Sequence, residues 1–183
     1  GEPVLTVNKP GDMIVNICPA DNPAGTKYAI RINGGGITNQ YVQADGMIED
    51  VPVYQTDMEW GTQYVTGLST NAQYTFDVKA KNGDGIETLF SPSSKKYTMA
   101  NTIGVPSLYN VGITSMAISF ATNTNPEWTT YAIRISTNME EGSWKWLQID
   151  GRIAGSAYYQ TAGMWGGNIY AVGLSTNTQY IFD

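Results

Sequence analysis

Apolar residues recur at every second position through much of the chain. In DMIVNI (residues 12–17), Met13, Val15 and Ile17 share one face, and Met116, Ile118 and Phe120 repeat the pattern. A period of two places alternate side chains on opposite faces of a strand, so these runs predict strands with that face inward. Tyr28, Ile30 and Ile32 alternate with Ala29 and Arg31, and Tyr131, Ile133 and Ile135 alternate around Arg134. Both arginines are therefore expected to point outward. Tyr74, Phe76, Val78 and Ala80 form a further run that ends at NGDG (residues 82–85). Asn and Gly tolerate positive φ, which predicts a hairpin turn there. KKYTM (residues 95–99) then closes the first set of strands. No apolar period of 3.6 residues is sustained, so the pattern predicts next to no helix.

The runs come in two sets because the chain is an internal repeat. NPAGTKYAIRI (22–32) returns as NPEWTTYAIRI (125–135), and YVQADG (41–46) returns as WLQIDG (146–151). VYQTDMEWG (53–61) returns as YYQTAGMWG (158–166), and GLSTNAQYTFD (67–77) as GLSTNTQYIFD (173–183). About thirty of roughly 75 paired positions are identical, far beyond chance, so the unit is duplicated. Small insertions near 139–142 and 166–167 account for the drift in register. The expected architecture is all-β: two tandem β-sandwiches over residues 1–101 and 102–183, joined by a short linker near 100–105.

The stretch VTGLSTNAQYTFDVKAKN (65–82) resembles the E–F region of fibronectin type III domains, and NPAGTKYAI resembles their B–C loop and C strand. The resemblance covers nearly the whole chain and implies an immunoglobulin-like sandwich. It implies that Leu68 plugs the bottom of the core and that Tyr74 is a corner tyrosine whose hydroxyl bonds back to upstream backbone. Leu174 and Tyr180 match them in the second copy. The family's strand-B Trp is replaced here by Ile17 and Phe120, and Trp60 and Trp165 are expected to fill that volume. The second copy stops at Asp183, the partner of Asp77, so the counterpart of residues 78–99, including strand G, is missing from it. Either the sequence is a piece of a longer protein, or another chain supplies that strand.

Composition narrows the functional classes. Charged residues make up 14%, and the net charge is −6 with no run of Lys or Arg, so no nucleic-acid partner is expected. The longest apolar stretches are strand-sized, so no membrane insertion is expected. Low Lys content with abundant Asn, Thr, Ser, Gly and Tyr fits an exported bacterial repeat protein at the cell surface or outside the cell.

Catalytic chemistry is poorly supplied. The chain has no histidine and one cysteine, Cys18, which removes Ser-His-Asp and Cys-His constellations and zinc sites. No catalytic, cofactor or metal residues are therefore assigned. The glycine clusters at 34–36 and 166–167 open no helix, so they read as turns rather than phosphate loops. Asp45, Glu49 and Asp50 cluster after strand C′, and Asp84 lies in the F–G turn. A calcium site or a glycosidase acid pair is the functional alternative for them, but Glu49 and Asp50 become Ala154 and Gly155 in the second copy, which favours plain surface charge.

The candidate interface residues are those that exceed the repeat: Trp128 in place of Gly25, Trp144 in place of Asn39, and Cys18 in place of Ala121. The structural residues are Leu68, Tyr74 and Trp60 with Leu174, Tyr180 and Trp165. The leading expectation is a non-catalytic extracellular scaffold of fibronectin type III repeats, assembling into a layer or filament with further copies of itself or with neighbouring repeats. The alternatives are a spacer of a secreted polysaccharide-degrading enzyme and an adhesin, with carbohydrate as a further candidate partner.

Overall fold

The computed structural model describes every residue of the chain except Asn168. The chain divides into two compact units, Gly1–Ala100 and Asn101–Asp183. Unit 1 runs β1 (Val4–Thr6), β2 (Met13–Asn16), β3 (Lys27–Gly34), β4 (Ile37–Val42), β5 (Ile48–Glu49), β6 (Gln55–Thr56), a one-turn helix α1 (Asp57–Trp60), β7 (Gln63–Val65), β8 (Gln73–Lys81) and β9 (Ser94–Tyr97). One sheet has the order β1-β2-β7. The other has the order β5-β4-β3-β8-β9, with β6 beside the start of β3. Every pairing between these strands is antiparallel.

The two sheets close over one core, and the period-two residues face it. Met13, Val15, Ile30, Ile32, Val42, Val65 and Phe76 are all completely buried. Burying side chains of this size stabilises by about 1.5–3 kcal/mol each before entropy is counted. Behind the turn at residues 82–86, the chain between β8 and β9 continues as a loop through Thr88, Phe90 and Ser91. This loop is pinned to β8 at Ala80 and Val78 by backbone bonds of 2.9 and 2.7 Å.

Unit 2 follows the same course: β10 (Ser107–Tyr109), β11 (Ser115–Ser119), β12 (Thr130–Tyr131), β13 (Arg134–Ser136), β14 (Lys145–Leu147), β15 (Ile153–Ala154), β16 (Gln160–Thr161), α2 (Ala162–Trp165), β17 (Ile169–Val172) and β18 (Ile181–Phe182). Its sheets are β10-β11-β17 and β15-β14-β13-β18, with β12-β16 as a separate pair. The strand that is continuous as β3 is thus split into β12 and β13. Ile118, Ile135, Leu147 and Ala171 are buried in its core, and Met116 and Phe120 pack half-buried at its margin.

The first residues of unit 2 are tied to its own loop. The Asn101 amide donates to Asn125 Oδ1 (2.6 Å), and Asn125 Nδ2 returns a bond to the Asn101 carbonyl (2.8 Å). Asn123 Nδ2 donates to the Thr102 carbonyl at 2.6 Å, and Asn101 Nδ2 donates to Thr124 Oγ1.

Helix is confined to two single turns, α1 and α2, which end on Trp60 and Trp165, in keeping with the expected scarcity of helix. A four-residue turn is too short to show a helical period and is set instead by its cap. Thr56 accepts from the Glu59 amide and Glu59 reaches back to the Thr56 amide, a reciprocal capping box. Thr161 caps α2 in the same way from one side. Arg31 lies on the outer sheet face as its parity predicts, and neighbouring groups cover it there, so that its side chain is only 24% exposed.

Candidate functional site

The outer face of the β5-β4-β3-β8-β9 sheet holds the densest polar arrangement in unit 1. Register places Arg31 opposite Tyr41 on one side and Asp77 on the other. The guanidinium forms a fork with the carboxylate, Nε to Oδ1 at 2.9 Å and Nη2 to Oδ2 at 2.7 Å. Phe90, from the loop before β9, lies over the guanidinium with 3.7 Å from its carbon to the ring centroid. Asp77 is 4% exposed and also accepts from Ser93 Oγ at 3.2 Å. A charge this covered is tolerable because the fork and the hydroxyl satisfy it. The Asp77 hydrogen bond raises the Arg31 pKa against the opposing effect of burial.

Two residues along β8, Lys79 stands among the rings of Tyr41, Tyr54 and Phe90, with centroids 6.0, 5.7 and 5.4 Å from its nitrogen. It contacts Glu87 at 2.5 Å, and Lys81 stands 3.7 Å from the other Glu87 oxygen. Burial disfavours the Lys79 charge, but the Glu87 hydrogen bond leads the effects that outweigh it, so its pKa is raised. The Lys79 hydrogen bond, with Tyr54 second, holds the Glu87 carboxyl down at about 2.

Unit 2 repeats the central pair. Arg134 Nε donates to Asp183 Oδ2 at 2.8 Å, with Nη2 on the same oxygen. Here the covering ring is Trp144, 4.2 Å from the guanidinium carbon, and it arrives just before β14 rather than from a loop before β9. The same Arg–Asp clasp is therefore roofed by aromatics from two different places in the repeat. Trp144 is half-buried by this contact, whereas Trp128, in the turn before β12, is 64% exposed. Phe90 and Asp77 were missed by sequence reasoning. Phe90 lies in a segment without alternation, and Asp77 has outward parity.

The remaining sequence-derived residues hold the sandwich together. The Tyr74 hydroxyl accepts from the Ser69 amide at 2.8 Å, and the Tyr180 hydroxyl accepts from the Ser175 amide at 2.8 Å. Leu68 and Leu174 are buried, and their amides bond to the Gly11 and Thr114 carbonyls at 2.9 and 3.0 Å. Trp60 Nε1 donates to the Tyr28 carbonyl (2.8 Å), and Trp165 Nε1 donates to the Tyr131 carbonyl (3.0 Å), each from a buried indole. The glycine run at 34–36 lies against the corner: a Cβ on Gly35 would stand 2.1 Å from the Tyr74 hydroxyl.

Cys18 is exposed and unpaired in any disulfide. Asp45 closes its own turn by accepting from the Met47 amide, and Asp50 accepts from Gln40, so these carboxylates do not converge. Among the described residues, no group of three or more His, Cys, Asp or Glu is placed to hold a metal ion. Nor is any helix long and apolar enough to cross a membrane.

No family profile and no curated protein sequence matches the chain. Solved structures do resemble it. A two-domain fibronectin type III segment of chicken tenascin aligns with a TM-score of 0.53 at 11% identity, covering 98% of this chain and 85% of that one. The FN1–FN3 segment of chicken CNTN1 aligns with a TM-score of 0.39 at 14% identity, covering 100% of this chain and 59% of that one. At such identity the tenascin likeness speaks for the fold alone. The chain has the fold of tandem immunoglobulin-like β-sandwiches of the fibronectin type III kind.

Proposed function

We propose that the chain is a non-catalytic, extracellular scaffold segment whose repeats present surfaces for assembly into a layer or filament. One observation carries this reading: what the two units share is what holds a sandwich closed. The corner tyrosines, the indole-to-strand bonds and the Arg–Asp clasps recur with the same partners. Around them, the loops diverge, as with residues 32–40 against 135–145. Duplication that keeps the frame and frees the loops suits a module valued for its shape. The extracellular assignment rests on composition, poor in Lys and rich in Asn, Thr, Ser, Gly and Tyr.

The test is the assembly state of the protein purified from its source, read by electron microscopy and by native and denaturing mass measurement. A regular polymer or sheet is the expected result. A monodisperse single chain carrying a catalytic domain would overturn the reading and make these units a spacer.

A further inference from the structure

We propose that the open edge of β18 in unit 2 is a docking groove for a strand supplied by another chain, an extended segment of the β9 kind with Lys-x-Thr at its centre. The proposal deepens the scaffold reading, because a donated strand ties one chain to the next, and it rests on that reading.

Unit 1 shows what such a groove holds. There β9 lies along β8, with Tyr97 opposite Gln73, Lys96 opposite Tyr74 and Ser94 opposite Phe76. The chain just beyond β9 stays attached. The Thr98 amide donates to the Ala72 carbonyl at 3.0 Å, and the Asn71 amide donates to the Met99 carbonyl at 3.1 Å. Two side chains of the segment complete the seat. Thr98 Oγ1 accepts from the Ala72 amide (3.1 Å) and donates to the Ser69 carbonyl (2.6 Å). Lys96 Nζ crosses to the other sheet and donates to the Leu5 carbonyl on β1 at 3.2 Å.

The seat is repeated in unit 2. QYIF (179–182) repeats QYTF (73–76), and Ser175, Thr178 and Leu108 stand where Ser69, Ala72 and Leu5 stand. Among the described residues, no strand pairs with the outer edge of β18. A groove of about 440 Å³ opens beside residues 177–180, lined by Val111, Ile113, Met116, Leu174, Thr178 and Tyr180. Core residues beside it are less covered than their counterparts. Leu5 is 9% exposed and Leu108 41%; Met13 and Tyr74 are fully buried, whereas Met116 and Tyr180 are half-buried. The rim also carries apolar side chains that the seat in unit 1 does without. Val111 and Ile113 replace Asn8 and Pro10, and both are exposed. An unpaired strand edge takes an extended peptide by backbone pairing, and its side-chain sites give selectivity. The exposed rim favours an incoming segment, which gains their burial on arrival.

The experiment is an NMR titration of the 183-residue chain with the synthetic peptide SPSSKKYTMA, the sequence of residues 91–100. Saturable binding of one peptide per chain is expected, with amide shifts concentrated at residues 108–116 and 174–182. The melting temperature of unit 2 is expected to rise with it. Peptides carrying Thr98→Val or Lys96→Ala are each expected to bind about tenfold more weakly. Val111→Asp with Ile113→Asp, both at exposed positions, is expected to weaken binding about tenfold in a chain that circular dichroism shows to be folded. No binding, equal binding of a scrambled peptide, or shifts confined to unit 1 overturns the proposal and leaves the scaffold reading to its own test. Hydrogen exchange on the protein purified from its source decides where the strand comes from. Protection of residues 178–182 that appears on assembly and is lost in the monomer is the expected result. Protection that persists in the monomer overturns the donation and assigns the groove to a segment of the same chain.

Discussion

Gly35 lies directly against the hydroxyl of Tyr74, so close that a Cβ would stand 2.1 Å from that oxygen. The same hydroxyl accepts from the Ser69 amide, so the tip of the β3–β4 hairpin and the turn before β8 meet on one oxygen. Tyr74→Phe strands the Ser69 amide and is expected to cost about 1–2 kcal/mol in urea unfolding. Gly35→Ala is expected to cost at least as much, because it adds a clash to a residue at φ +57°. Tyr180→Phe is expected to cost less than Tyr74→Phe, because Tyr74 is fully buried whereas Tyr180 is half-buried and its bond to the Ser175 amide is exposed.

The buried indoles predict a larger effect. Trp60→Ala removes a ring that is 3% exposed and its bond to the Tyr28 carbonyl, and is expected to destabilise unit 1 by about 3–5 kcal/mol. Trp60→Phe should recover part of this and leave the carbonyl bond unmade. Thermal unfolding followed by near-ultraviolet circular dichroism separates the two variants.

The two Arg–Asp clasps should differ in worth although their chemistry is the same. The side chains of Arg31 and Asp77 are 24% and 6% exposed, against 40% and 58% for Arg134 and Asp183. Asp77→Ala leaves a covered guanidinium without its partner and is expected to cost about 3 kcal/mol. Asp183→Ala opens a solvated pair and is expected to cost less than about 1 kcal/mol. Equal losses would mean that burial does not set the difference.

Glu87 gives a pH dependence of known sign. Its pKa in the folded chain is lowered to about 2 from 4.5. A depressed carboxyl contributes stability above its unfolded pKa and loses it as pH falls through the folded value. The contribution should therefore fade between about pH 4.5 and pH 2. Glu87→Gln is expected to flatten that part of the stability profile, and 1 M NaCl should shrink it in the parent chain because Glu87 is exposed.

Much of this architecture is readable as residue pattern. The alternation in residues 13–17, 28–32 and 74–80 marks strands whose inward residues are the core, because one buried face imposes a period of two. The string GLSTNxQY locates both corner tyrosines, since the turn and its tyrosine are contiguous. What contiguity does not supply is less legible. The α1 turn has no period, and only Thr56 and Glu59, three apart, mark its cap. Asp77 has outward parity, and nothing local shows that Phe90, thirteen residues on, will help to cover it. The outer face escapes a linear reading altogether, because Arg31, Lys79, Tyr41 and Glu87 come together only through strand register and the loop before β9.

The asparagine tie at the start of unit 2 has a mechanical consequence. Tension on the backbone ahead of Asn101 reaches residues 123–125 before it reaches the β10–β11 ladder. Four side-chain bonds must yield first, and each re-forms readily because its partners are a few residues of one loop. Stretching unit 2 from its start is thus expected to load these bonds ahead of the β10–β11 ladder.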